Sequence, residues 1–289
     1  MSLRPAAAFV FLALGLGFGL AGCPKEQPPA QAAKAEEPPV ELPTAIETPE
    51  GSAKKRANVA FITLNGERTQ VRWSDGDSFK FLEGTYEGSG VRLTGYNTLE
   101  SYGPVHRWGD WTAQELFDIA RTSKYQAASQ EWTCTTDGER DGYNRVLVSC
   151  PEAAMYMVGV GHAHVFGFDE GVAPRLLRVQ KEAMKQGVGM WAKGTPTFLI
   201  TSLHSADEEY AQQQGSAYNR VAHTGTGESH KREHGDNYGI CEEICLPEGP
   251  EKGSCMTYVP FERRYRNKAE CLRRPRSDGS KNAPREKGE

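Results

Sequence analysis

The chain has 289 residues, a formal net charge of −4, 38% hydrophobic and 25% charged residues, and seven cysteines. That apolar content suffices for a core, so a wholly disordered chain is excluded, and the length allows one or two domains of ordinary size. Past the first 22 residues no apolar run reaches the about 18 residues of a membrane-spanning helix, and the mild acidity excludes a strongly basic, DNA-coating protein. In chain order, residues 1–22 read as an export signal: Arg4, an apolar run from Pro5 to Leu20, then the small residues Ala21 and Gly22 ahead of Cys23. Residues 23–56 are rich in Pro, Ala and Glu and hold no aromatic residue, a composition that favours an extended tether.

From residue 57 the pattern becomes that of a folded body. Strands are predicted near 58–64, 68–74, 77–82 and 89–95, with Asn65-Gly66 as a hairpin turn between the first two. Thr112-Ala113-Gln114-Glu115 has capping-box spacing and opens a helix over 112–127. Two further strands are predicted near 129–136 and 143–149, turned by Arg140-Asp141-Gly142. A last helix runs from Pro174 to Gly187, with Leu176, Val179, Ala183 and Met184 at helical spacing. Short strands with interleaved helices suit an α+β, mainly β fold: an OB-fold five-stranded barrel with packed helices. Met155, Met157 and Val158 read as core. His162 and His164 fall on one strand face and read as packing or surface contacts rather than metal ligands.

Beyond Gly194-Thr195-Pro196 the chain carries Cys241, Cys245, Cys255 and Cys271, and residues 194–276 read as a small cysteine-containing module. With Cys23 set aside, these four plus Cys134 and Cys150 give an even count, which in an exported chain points to disulfides rather than zinc. Cys134 and Cys150 are placed to face each other across the hairpin near residue 142. The remaining pairing stays open. Residues 261–276 hold seven basic and two acidic side chains interleaved with aromatics. This suits phosphate contact and base stacking, or else a solvated basic surface. Residues 277–289 read as a disordered tail.

Two resemblances add to this reading. Leu20-Ala21-Gly22-Cys23 resembles the lipobox of bacterial lipoproteins, which implies cleavage before Cys23 and a lipid on its thiol. Multiple acyl chains anchor stably where one does not. The implied location is the bacterial cell envelope, and Pro24 rather than an Asp after Cys23 favours the outer membrane. Second, Asp75-Gly76-Asp77, Arg92-Leu93-Thr94-Gly95-Tyr96-Asn97-Thr98-Leu99-Glu100, Tyr102-Gly103, Asp141-Gly142-Tyr143-Asn144-Arg145 and Gly187-Val188-Gly189-Met190-Trp191 resemble, in this order, the motifs of thermonucleases, the staphylococcal nuclease family.

The resemblance covers residues 57–193 and implies a phosphodiesterase acting on single-stranded DNA or RNA as a monomer. By it, Arg92 and Arg145 clamp the phosphate and Glu100 assists the attacking water. Tyr143 and Tyr102 lie beside the nucleotide. Ca²⁺ or another divalent cation is held by Asp77, Asn97 and the Thr98 carbonyl. The types suit the chemistry, because guanidinium forks match phosphate oxygens and hard cations take oxygen ligands. The chain departs from the family at Asn97, where the family has Asp, at Leu99, where it has Pro, and at Asn144, where it has Gly. Asn97 removes one formal charge from the cation site and so weakens it. The alternatives are a nucleic-acid- or polymer-binding lipoprotein with a weakened site, and a structural envelope lipoprotein.

Overall fold

Asn65 and Gly66 both take positive φ, 49° and 90°, the backbone a two-residue hairpin turn requires. They join β1 (Val59–Leu64) to β2 (Glu67–Trp73), which pair antiparallel from Val59–Arg72 to Leu64–Glu67. Along β2, Thr69, Val71 and Trp73 point inward in strict alternation. The computed structural model describes residues 39–50, 57–168, 171–245, 253–264 and 270–273. The export signal, Cys23, most of the tether and the tail therefore lie outside the described residues. No described helix is long and apolar enough to cross a membrane.

β3 (Phe79–Phe81) and β7 (Trp132–Cys134) complete a four-stranded sheet in the order β3-β2-β1-β7, with β7 parallel to β1. β4 (Val91–Leu93) pairs in parallel with β8 (Val146–Val148), and β5 (Tyr96–Thr98) pairs antiparallel with β9 (Ala163–Val165). The two-residue β6 (His106–Arg107) lies between β5 and the first helix. The expected closed five-stranded barrel does not form among the described residues. The pairings run as separate sheets joined by the single bridges Lys80–Gly90 and Thr135–Ser149. Strands of three residues, separated by turns such as that at Gly84 and Gly88, are too short to carry a continuous ladder around a ring. What stands is a mixed α+β fold made mainly of strands.

Both expected helices are present. α1 (Ala113–Ala127) has the full capping box, Thr112 and Glu115 each capping the other's backbone N–H. A second helix that sequence periodicity did not reveal, α2 (Pro151–Gly159), occupies the stretch read only as core. It begins at Pro151 and buries Ala153, Ala154, Met157 and Val158. α3 (Pro174–Gln186) ends at Gly187 in the left-handed region, φ 62°, and a 3-10 turn at Gly189–Trp191 follows. The main core gathers Ile62, Val71, Trp73, Phe79, Leu93, Tyr96 and Met157.

The chain beyond residue 194 adds β10 (Phe198–Ser202), α4 (Glu209–Gln214), β11 (Ala217–His223) and β12 (Ser229–His234), with sheet order β10-β11-β12. β13 (Glu243–Cys245) and β14 (Cys255–Thr257) pair outward from β6, so that β14 lies directly on a strand of the first region. The short helices α5 (Phe261–Arg264) and α6 (Glu270–Arg273) come last. The described residues from Val40 onward form one compact unit.

Six cysteines make three disulfides: Cys134–Cys150, Cys241–Cys271 and Cys245–Cys255. The first joins the expected partners, although β7 and β8 each pair with another strand and the hairpin between them is held by the single bridges Thr135–Ser149 and Arg140–Val146. The Cys-x₃-Cys pair does not act together, since each cysteine has a separate partner. Glu243, Cys245 and Cys255 bring ligand-type atoms close, but both sulfurs belong to one disulfide and offer no thiolate.

Candidate functional site

Val91 and Leu93 are each 1% exposed, so strand alternation carries the side chain between them, Arg92, to the opposite face. There its Nη1 donates to Asp77 Oδ2 at 2.6 Å and its Nη2 donates to Asn97 Oδ1 at 2.5 Å. Asp77 comes from the turn between β2 and β3. It also accepts from the Thr98 backbone N–H at 3.0 Å and from the Ser78 hydroxyl at 2.8 Å. Burial raises the proton affinity of Asp77, but Arg92 and these donors outweigh it and hold the carboxyl below its usual value.

Gly76 lets this turn pass under β5. A Cβ there would lie 2.7 Å from both Thr98 Cγ2 and Ser123 Cβ, and the Gly76 carbonyl accepts from Tyr96 Oη at 2.9 Å.

Asp75 is held differently. It accepts from the Gly76 N–H and the Ser101 hydroxyl, yet burial and the nearby Asp77 and Glu100 push its carboxyl well above the usual range. Two carboxylates in one turn thus take opposite protonation tendencies. Glu100 is also raised, by burial first, with Arg264 opposing and Asp77 adding. Among the described residues its carboxyl makes no hydrogen bond or ion pair, while its backbone N–H donates to His106 Nε2 at 3.1 Å.

Asn97 and His164 face each other as register partners on β5 and β9. Burial holds His164 down to about 4, so its ring is neutral near pH 7. Nδ1 lies 2.9 Å from the Val165 carbonyl and therefore carries the ring hydrogen, which leaves Nε2 as an acceptor. That acceptor lies 3.4 Å from Asn97 Nδ2, a donor. An amide at 97 thus serves Arg92 with its oxygen and His164 with its nitrogen. A carboxylate would set an anion against the His164 lone pair.

Asp77, Arg92, Asn97 and Thr98 are brought into direct contact. Arg145 lies apart, with Nε and Nη2 both on Asp141 Oδ2 (2.7 and 2.6 Å). Its charge still helps lower Asp77. Asn144 takes the left-handed backbone, φ 62°. Tyr143 is 65% exposed, stacks on Phe261 of α5 at 6.1 Å, and lies 5.5 Å from the Arg145 guanidinium. The Tyr102 hydroxyl donates to the Ser74 carbonyl at 3.3 Å, beside the Asp75–Asp77 turn. His162 is buried against Ser123, away from solvent.

Sequence reading missed Asp75 as a separate site group, and it missed His164 as the partner of Asn97. It also missed Arg264, which donates to the Val259 and Leu203 carbonyls at 2.9 and 2.7 Å and whose charge favours the ionised form of Glu100. No local pattern marks Arg264, because its role depends on the return of the chain 164 residues after Glu100.

The donor set of Asp77, Asn97 and the Thr98 carbonyl consists of hard oxygens, and two of them already converge on one cationic group. It fits a hard cation in type, with a single formal negative charge. No protein-family model matches the chain, and comparison with curated proteins returned no match. The likeness to thermonucleases therefore rests on the motif residues themselves.

Proposed function

We propose that the chain is an envelope nuclease that hydrolyses phosphodiester bonds of single-stranded DNA or RNA, carried on an OB-like scaffold and anchored through a lipid on Cys23. The observation that supports it most is the Asp77–Arg92–Asn97 corner. Two separated motifs meet there around one guanidinium, beside a glutamate whose carboxyl has a raised pKa and no hydrogen-bond partner among the described residues. The strand path β7-β1-β2-β3, then β4-β8 and back to β7 through the two single bridges, is the order that supports the OB-like reading.

In this reading Arg92 and Arg145 exchange their present carboxylate and amide partners for phosphate oxygens, which they match as planar forks. Glu100, with its raised pKa and no competing donor, orients the attacking water and takes its proton. Asp77, released by Arg92, becomes free for a cation. A divalent cation on Asp77, Asn97 and Thr98 would supply Lewis-acid stabilisation of the charge developing on phosphorus. Arg92 and such a cation draw on the same two oxygens.

That shared demand favours a second reading, a nucleic-acid- or polymer-binding lipoprotein in which Arg92 satisfies the corner in place of a metal. Oxidised protein assayed on single-stranded DNA and on RNA in Ca²⁺, Mg²⁺ and Mn²⁺ separates the two. Cation-dependent cleavage, lost in Glu100→Gln, supports the nuclease. Salt-dependent binding without cleavage by any of the three cations supports the second reading. In the nuclease case Asn97→Asp raises affinity for the cation roughly tenfold, because one formal charge is restored. An unchanged cation dependence of the rate would remove Asn97 from the cation site.

A further inference from the structure

Arg220 on β11 belongs to none of the motifs described above. Its guanidinium carbon lies 5.2 Å from the centre of the Phe166 ring and 5.7 Å from that of Phe168. The Arg92 guanidinium carbon lies 5.8 Å from the same Phe166 ring, so two like charges share one aromatic side chain. Arg220 donates from Nε to Thr201 Oγ1 at 3.2 Å. Among the described residues its two terminal nitrogens have no hydrogen-bond partner, and no carboxylate pairs with it.

The other two arginines of the site are differently placed. Arg92 is engaged by Asp77 and Asn97, and Arg145 by Asp141. Arg220 alone of the three presents an unengaged fork.

We propose that Arg220 is a third phosphate-binding arginine of this site, contributed by the C-terminal segment, and that it takes a backbone phosphate of a single-stranded nucleic acid next to the one held by Arg92. The identity of the ligand rests on the nuclease reading, whereas the anion subsite rests on the geometry of Arg220. Two guanidiniums on one ring repel unless an anion lies between or beside them. In keeping with this, burial and Arg92 both disfavour the charged form of Arg220, and the groups that act on it include Glu100 and Tyr143. A purely structural brace between β11 and Phe166 would need the flat side chain but no charge.

The test is binding of a short labelled thymidine oligonucleotide to the oxidised protein over a range of salt concentrations. Arg220→Ala is compared with Arg220→Gln, which keeps a donor toward Thr201, and with Arg220→Lys, with melting temperatures as the control for folding. The expected result is roughly tenfold weaker binding in Arg220→Gln, the loss of one charge-assisted contact. The slope of log K against log salt should become shallower by about 0.7, the single-strand value for one phosphate. Arg220→Lys should restore the slope but not the full affinity.

Parent-like affinity and slope in folded Arg220→Gln and Arg220→Ala overturn the proposal while leaving the nuclease reading intact. A parent protein that neither binds nor cuts DNA or RNA defeats the nuclease reading instead, and inorganic phosphate then decides. A phosphate-induced rise in melting temperature that Arg220→Gln abolishes keeps the anion subsite, and no phosphate effect on the parent overturns it.

Discussion

The regions on either side of residue 194 are held together by different means. The first buries a large apolar set around Trp73, Phe79, Phe81 and Tyr96, with one disulfide buried within it. The second has a smaller cluster of Phe198, Ile200, Leu203, Val221, Met256 and Tyr258, and carries two disulfides. It is tied to the first through β14 on β6 and the Arg107–Glu243 ion pair at 2.6 Å. A small core gains from staples that limit the unfolded ensemble. Yet the second region reaches the polar corner of the first with Arg220 and with the charge of Arg264, and stacks Phe261 on the exposed Tyr143. The apolar body thus builds the corner, and the stapled segment adds Arg220 and Arg264 to it. Residues 58–193 alone hold 14 Lys and Arg against 17 Asp and Glu.

The largest effect should come from breaking the corner itself. Arg92→Lys keeps the charge but cannot bridge Asp77 and Asn97 while also presenting a planar fork. Cleavage should fall at least about 100-fold, the scale for losing one transition-state donor, with the melting temperature within a few degrees of the parent. Initial rates on single-stranded DNA measure this, and a rate within threefold of the parent would remove Arg92 from the chemistry.

A next, smaller effect distinguishes the staples. In the chain-entropy account a disulfide contributes about 2–4 kcal/mol, more for longer loops. Cys241–Cys271 closes a separation of 30 residues and Cys245–Cys255 one of 10. Replacing Cys241 and Cys271 together by Ser should therefore destabilise more than replacing Cys245 and Cys255, as read by denaturant unfolding. The first pair also encloses α5, which carries Phe261 and Arg264, so its removal should weaken oligonucleotide binding at temperatures where the protein remains folded. Equal binding in the two double variants would show that the placement of α5 does not depend on its staple.

These contrasts also mark what could be read in advance. Elements with local chemistry were legible: the Asn65-Gly66 turn, the Thr112/Glu115 box and the Pro174-to-Gly187 helix each declare themselves within a few residues. α2 was not, because Ala153, Ala154, Met157 and Val158 are buried and a helix apolar on several sides shows no helical period. Barrel closure was overestimated because strand signals do not disclose that β3, β4 and β8 pair over only three residues each. That Asp77, Arg92 and Asn97 share one site was implied by the resemblance, but not their direct contact, and Arg220 and Arg264 come from segments paired at long range. Asn97 looked like a loss until its partner was known. Opposite a neutral His164 it is the residue type that satisfies both neighbours.

The smallest expected effect separates the regions by acid sensitivity. Burial depresses His106 to about 3 and both His162 and His164 to about 4, all three in the first region. In the unfolded chain each titrates near 6.5. Between about pH 6.5 and pH 4 the unfolded chain therefore binds protons that the folded one does not, and stability falls as the pH falls through this window. Asp75 and Glu100 run the other way. Their folded values are raised, so the folded chain keeps protons above the unfolded carboxylate value and loses stability as the pH rises through that range. Removing one histidine isolates its share from this opposition. His162→Asn keeps a polar atom toward Ser123, whose hydroxyl lies 3.2 Å from Nδ1. The slope of unfolding free energy against pH between about 4.5 and 6 should drop by up to about 1.4 kcal/mol per pH unit, the value for one proton. Urea unfolding at several pH values measures the slope independently of any constant loss of stability. A slope equal to the parent's would mean that His162 is protonated in the folded chain, and that the acid sensitivity of the first region arises elsewhere.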